Sequence, residues 1–516
     1  MEGKLQAFIE DFAALVRLAE RQHARAAGGE QLLETLSGHL GIPADELPVV
    51  VEEVPGHRFA DADILLAEAA EADPEHRLVG IGGGDQRHHL SLSDMLQQSR
   101  HYPQFPLSQP DYANVAVGPA RQRQAVSLGL RLFRHGPGGE PLAVLIRAAN
   151  PRYGQNAALL EVLGRDPRHV AAFLAAFRAD MQTRSVLKGQ VVSLTMDPFG
   201  DSGSGVTFHE RPRLAAADVV LPEGLLDRIS RHAVELGGHR EQLRGLGQHL
   251  KRGILLYGPP GTGKTHTVRY LLGRSDGTTA IILSGGSLAF IAEAARMARA
   301  LQPSMIILED CDLIAGDRSF GHGPQPLLFE VLDAMDGLDD DADVAFVLTT
   351  NRVDMLERAL AQRPGRVDLA VQVPLPEAGE RAALLRLYAR ELAFSDDAIA
   401  RAAELTAGTT ASFARELVRR AVVASALSGT DPADPHLLDA AEELMSDGEA
   451  LTRSLLGSAG GVRSEEAGPD PAASSGYFAY APLSGRTFSG RGTMAGYTGG
   501  PELHAEAPES PADPEE

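Results

Sequence analysis

At 516 residues the chain has room for about two to four domains, and its formal net charge of −22 argues against non-specific nucleic-acid binding, because a phosphate backbone is repelled by such a surface. A single cysteine, Cys311, excludes a disulfide framework and a cysteine-based zinc site. No run reaches the roughly 18 apolar residues of a membrane span, and Met1-Glu-Gly-Lys-Leu5 lacks a basic-then-apolar leader, so a cytoplasmic protein away from membranes is expected.

The first region, 1–115, reads as mainly helical. Leu5, Phe8, Ile9, Phe12, Leu15, Val16 and Ala19 share one helical face, and Leu32, Leu33, Leu36 and Leu40 form a second, shorter pattern. Another helix is expected over 59–70. Residues 79–115, with Gly82-Gly-Gly84 and scattered prolines, suggest loops, and His57, His88 and His89 look isolated. A small α+β module is expected over 116–212. Leu128 to Phe133 and Leu142 to Ile146 read as strands across a Gly136-Pro-Gly-Gly139 turn, Ala157 to Leu163 and Val170 to Thr183 as helices, and Val191–Leu194 with Val206–Phe208 as a hairpin.

From residue 213 the texture changes to strands alternating with helices. Ile254 to Tyr257 is a short apolar strand. Gly258-Pro259-Pro260-Gly261-Thr262-Gly263-Lys264-Thr265 then fits the phosphate-loop pattern G-x-x-x-x-G-K-[ST], followed by His266 at the start of a helix. The chemistry explains the spelling. Backbone N–H groups must wrap a polyphosphate, which calls for glycine, and the helix directs its positive end at the same anion. Lys264 adds a mobile cation for the β- and γ-phosphates, and the Thr265 hydroxyl is a natural Mg²⁺ ligand. Further strands are expected at 280–283, 305–308, 344–348 and 371–373, with helices at 287–301 and 327–335. The 305–308 strand runs into Glu309-Asp310. This places two carboxylates beside the loop, one to orient Mg²⁺ and one to polarise the attacking water. The expected fold over 213–376 is α/β, a phosphate-loop NTPase parallel sheet with helices on both faces. A helical lid is expected over 377–450 and a disordered acidic Gly/Ser/Pro-rich tail over 451–516.

Taken together these motifs resemble the AAA+ ATPases, specifically the AAA subgroup, over roughly 218–446. The resemblance implies that Glu309 stands where the family usually has its Mg²⁺-linked Asp, and Asp310 where it has the catalytic Glu. The usual order is thus exchanged, and the catalytic carboxylate is one methylene shorter. Such Glu-Asp versions occur in the branch with the mitochondrial protein-translocating ATPases, which Lys251-Arg-Gly-Ile-Leu-Leu-Tyr-Gly258 also resembles. Asn351 matches the sensor-1 position. Arg363 and Arg366, in Arg-Pro-Gly-Arg-Val-Asp368, match the arginine-finger segment that acts on a neighbouring subunit. Gly408-Thr-Thr-Ala-Ser412-Phe413 resembles the start of the lid helix, with Ser412 where other branches carry a sensor-2 arginine.

The implied function is an ATP- and Mg²⁺-dependent ring, by resemblance a hexamer of this chain, that remodels a protein partner without nucleic acid. Two alternatives remain: a slow assembly switch or scaffold, and a proteasome-associated ATPase, the latter without the family's terminal docking motif in Pro-Glu-Glu516. Phe290-Ile291 stands where unfolding rings carry an aromatic pore loop, but Leu288, Ile291, Ala295 and Ala298 share a helical stripe that equally fits the buried face of a helix.

Overall fold

The computed structural model describes residues 30–100, 104–150, 155, 157–195, 205–311, 333, 335, 342–352 and 367–458. The helix expected near residues 5–19, both Arg363 and Arg366, nearly all of the expected helix 327–335 and everything past 458 lie outside them.

The first part of the chain folds as α1 (Leu32–Leu40), β1 (Val49–Val54), α2 (Phe59–Glu71), β2 (Arg77–Ile81), α3 (Leu92–Ser99), β3 (Leu107–Ser108), β4 (Asp111–Gly118), β5 (Arg121–Phe133), β6 (Leu142–Arg147), β7 (Ala158–Gly164) and α4 (Pro167–Thr183). The strands form one antiparallel sheet in the order β1-β7-β6-β5-β2-β3, with β4 also on β5. Side chains alternate across it. Leu142, Val144 and Ile146 pack under α2 and α4, while Ala143 and Leu145 pack under α1 and α3.

This corrects the expected division at residue 115. The helical region and the α+β module share one sheet, because β5 takes β2 and β4 along one side and β6 along the other. Two local expectations fall with it. Ala158–Gly164 is a strand rather than a helix. A buried run this short fits either element, and pairing with both β1 and β6 decides it. The stretch 79–115 holds strands and α3 rather than loops alone. Ser91 caps α3 in a capping box with Asp94.

The second part contains β8 (Val191–Thr195), β9 (Gly205–His209), α5 (Leu225–Ala233), β10 (Arg252–Tyr257), α6 (Lys264–Arg274), β11 (Thr279–Ser284), α7 (Ile291–Ala300), β12 (Ser304–Glu309), β13 (Val344–Thr350) and β14 (Leu369–Gln372). Its sheet runs β14-β10-β13-β12-β11-β8-β9 and is parallel from β14 to β8. The 191–209 hairpin therefore belongs to this sheet and not to the preceding module. It covers the open edge of β11 and adds Val192 and Leu194 to the core around Ile281 and Ile306.

A helical subdomain follows: α8 (Ala378–Tyr388), α9 (Asp396–Leu405), α10 (Ala411–Ser428), α11 (Asp434–Met445) and α12 (Ala450–Leu455), packed around Phe413, Leu417 and Leu437. Helix α12 and the turn to Ser458 lie where the tail was expected to begin. No helix among the described residues is long and apolar enough to cross a membrane.

The two α/β parts are bolted together. The buried Asp61 carboxylate accepts from Arg58 Nε (2.5 Å), Ser185 Oγ (2.7 Å) and the Val186 N–H (2.7 Å), fixing the connection between α4 and β8. His57, isolated in sequence, meets Glu293 of α7 at 2.9 Å.

Candidate functional site

The parallel strands deliver their C-terminal ends to one edge, where loops carry the polar residues. The register sets Tyr257 of β10 opposite Thr350 of β13, and Leu308 of β12 opposite Leu348. The 258–263 loop leaves β10 at that edge and turns into α6 at Lys264.

Glycine is required in this loop. Gly258, Gly261 and Gly263 all have positive φ (151°, 77° and 105°), and a Cβ on Gly258 would overlap the Val373 carbonyl oxygen. Lys264 is buried, and its ammonium donates to the carbonyls of Gly258 and Pro259, each at 2.8 Å. The Thr262 hydroxyl donates to Pro259 O at 2.9 Å, which closes the first turn of the loop on itself. Pro259 and Pro260 have no N–H to leave unpaired here.

Across the edge, the Thr265 hydroxyl lies near the Glu309 carboxylate. Burial raises the Glu309 carboxyl above its ordinary range, and the neighbouring Asp310 charge adds to that; Arg269 and the Thr265 hydroxyl act in the opposite direction. Asp310 has φ 52°, a left-handed conformation that Asp tolerates better than most side chains. Its N–H donates to Thr349 Oγ1 at 3.0 Å, and Asn351 Nδ2 lies 3.5 Å from its Oδ1. Thr265, Glu309, Asp310 and Asn351 are thus brought together at the mouth of the loop. Two adjacent acidic groups facing a hydroxyl make a hard oxygen donor set that fits a divalent cation of the Mg²⁺ type.

Other predicted positions fall outside this cluster. His266 Nε2 lies 3.0 Å from the Asp218 carbonyl, and Asp218 in turn pairs with Arg390 of the helical subdomain at 2.8 Å. Of the 363–368 segment, Val367 and Asp368 are described. Asp368 brackets Gly253, donating from its N–H (2.9 Å) and accepting on its carboxylate (2.8 Å), so Asp368 itself is anchored at the start of β10. The 290–291 pair is not an exposed loop. Ile291 is fully buried with Leu288 and Ala298, and Phe290 packs against the same core.

Sequence reasoning did not anticipate the contacts of five residues. Arg269 sits one helical turn beyond Thr265 and acts on Glu309, a neighbour that i, i+4 spacing alone identifies. Thr349 positions Asp310 through its hydroxyl. Thr410, Ser412 and Gly457 reach the phosphate loop from the helical subdomain, a contact that no local pattern announces.

Comparison with known proteins agrees with this geometry. Residues 254–375 match the family described as ATPase family associated with various cellular activities (AAA). Over 169 residues the chain is 37% identical to a 26S proteasome regulatory subunit 8 homolog of Schizosaccharomyces pombe, covering 30% of this chain and 41% of that protein. It is 34% identical over 233 residues to a proteasome-activating nucleotidase of Methanoculleus marisnigri, covering 42% and 56%. To the ATP-dependent zinc metalloprotease FtsH 4 of Sphaerobacter thermophilus it is 33% identical over 227 residues, covering 42% and 34%. The chain thus spans about half or less of the length of these relatives. A loop of phosphate-loop spelling at 258–265, a parallel sheet and the family match over 254–375 together make this part of the chain similar to the ATPase domains of that family.

Proposed function

We propose that this protein binds ATP with Mg²⁺ at the 258–265 loop, hydrolyses it, and uses the resulting motion to remodel a protein partner within a ring of its own copies, by family resemblance a hexamer. The observation that carries this reading is the convergence of Thr265, Glu309, Asp310 and Asn351 at the mouth of a loop whose lysine is already set. Lys264 neutralises the β- and γ-phosphates. Thr265 and Glu309 would hold the Mg²⁺, which when bound would offset charge on the phosphate oxygens. Asp310 receives the proton of the attacking water, and Asn351 orients that water. Arg363 and Arg366 act on the nucleotide of the neighbouring copy, so assembly completes the site. The relatives named as proteasome-activating and proteasome regulatory proteins support a partner in protein turnover.

A second reading is favoured by the burial of Ile291 and the packing of Phe290. These residues do not form a threading loop. In this reading ATP assembles the ring and hydrolysis releases it.

One experiment separates the readings. Mass is measured by light scattering with and without ATP and Mg²⁺, and phosphate release is recorded on the same sample. Turnover by a nucleotide-dependent oligomer, accelerated by a protein substrate, supports remodelling; assembly with negligible turnover supports the switch. Lys264→Ala should abolish ATP binding or turnover. Arg363→Ala should keep binding and lose turnover, and mixing the two variants should restore part of the rate. A mixture as inactive as its components would rule out action between copies.

A further inference from the structure

The phosphate loop is held from outside by two segments of the helical subdomain. At the start of α10, the Ser412 N–H donates to the Gly261 carbonyl at 3.2 Å, with the Ser412 hydroxyl 3.5 Å from the same oxygen. The turn after α12 closes on the neighbouring peptide. Gly457, at φ 77°, approaches the Pro260 carbonyl oxygen so closely that a Cβ on Gly457 would overlap it. That turn is itself pinned, because the Thr410 hydroxyl donates to Leu456 O at 2.6 Å while also accepting from Phe413 N–H. A Cβ on Gly261 would in turn press on Leu456 O, Ser412 Oγ and Thr410 Oγ1 at 3.0–3.1 Å, so the contact is close from the loop's side as well, though less tight than at Gly457.

The consequence follows from peptide geometry. In a trans peptide the C=O and the following N–H point in opposite directions. Gln302–Pro303 is the cis bond recorded for the described residues, and the loop peptides are trans. With the Pro260 and Gly261 carbonyls drawn outward, the N–H groups of Gly261 and Thr262 are turned to the opposite, concave side of the loop. Inward-facing N–H groups are what an anion cradle needs. The Pro260 contact is a Cα–H···O approach, weak alone but fixed in direction by the flanking Thr410 bond.

We propose that the Leu456–Gly457 turn, anchored by Thr410, is a positioning element of the phosphate site. It holds the Pro260–Thr262 backbone in its anion-binding form, so polyphosphate affinity depends on this turn staying seated. The proposal rests on the ATP-binding reading above and goes beyond it by assigning part of the phosphate site to the end of the helical subdomain. Gly457 and Thr410 act through the loop and touch no reacting atom.

The test uses the full chain and titrates ATP·Mg²⁺ and, separately, inorganic tripolyphosphate, which has no base or ribose. Gly457→Val should raise the dissociation constant of both probes at least tenfold in the folded protein, while its clash and its strained φ lower the melting temperature. Thr410→Val should act in the same direction, and Thr410→Ser, which keeps the hydroxyl, should restore most of the affinity. The Ser rescue separates positioning from a general loss of packing, and it decides the matter should Gly457→Val fail to fold. Equal affinities in wild type, Gly457→Val and Thr410→Val would overturn the proposal while leaving the ATP reading intact. Loss of ATP binding with unchanged tripolyphosphate binding would also overturn it, since the effect would then lie at the base. A wild-type chain that binds neither probe would overturn the ATP reading itself.

Discussion

The Glu309-Asp310 pair has a physical cost and a backbone reason. Glu309 is half-buried, and its carboxyl is raised first by that burial and then by the adjacent Asp310 charge. Asp310 occupies a left-handed backbone position, held by the Thr349 hydroxyl, where a short acidic side chain is better tolerated than a long one. Its shorter reach thus goes with the conformation of the strand end. If Asp310 is the proton acceptor, Asp310→Asn should bind ATP with little change and lose about 10²–10⁴-fold in turnover. Single-turnover phosphate release beside a binding titration checks this; full turnover in the Asn variant would remove Asp310 from the chemistry.

At the scale of elements, α7 illustrates how one stripe of residues supports two sequence readings. Phe290-Ile291 sits at the right place in the chain for an exposed aromatic loop, yet Leu288, Ile291, Ala294 and Ala298 all face the core of the parallel sheet. Removing a fully buried Ile side chain leaves a cavity. Ile291→Ala should therefore cost about 2–5 kcal/mol of stability, read by denaturant unfolding. An exposed loop residue would cost far less, so a change under about 0.5 kcal/mol would return Ile291 to the surface. The same ambiguity misassigned Ala158–Gly164. Its apolar run is legible in the sequence, but whether it coils or extends is decided by the flanking strands β1 and β6, over a hundred and about ten residues away respectively.

At the scale of the whole molecule, Asp61 ties the antiparallel sheet to the connection that leads into the parallel one. Arg58 and Asp61 are both buried, and removing one partner strands the other charge. Asp61→Ala should cost about 3–5 kcal/mol and separate thermal unfolding into two transitions, seen by calorimetry; one unchanged cooperative transition would mean that the clamp is not what joins the parts. The sequence by itself determined where a nucleotide site is to be expected. The phosphate loop, the acidic strand end and the alternation of strands with helices are local patterns, and local geometry dictates each of them. Only the tertiary structure decided that the strands from 49 to 164 build a single sheet, that the 191–209 hairpin completes the parallel sheet, and that Thr410, Ser412 and Gly457 meet the loop. The physical reason is that strand pairing, edge coverage and backbone-to-backbone packing are settled between residues far apart in the chain, and they leave no periodic signal in the segments they join.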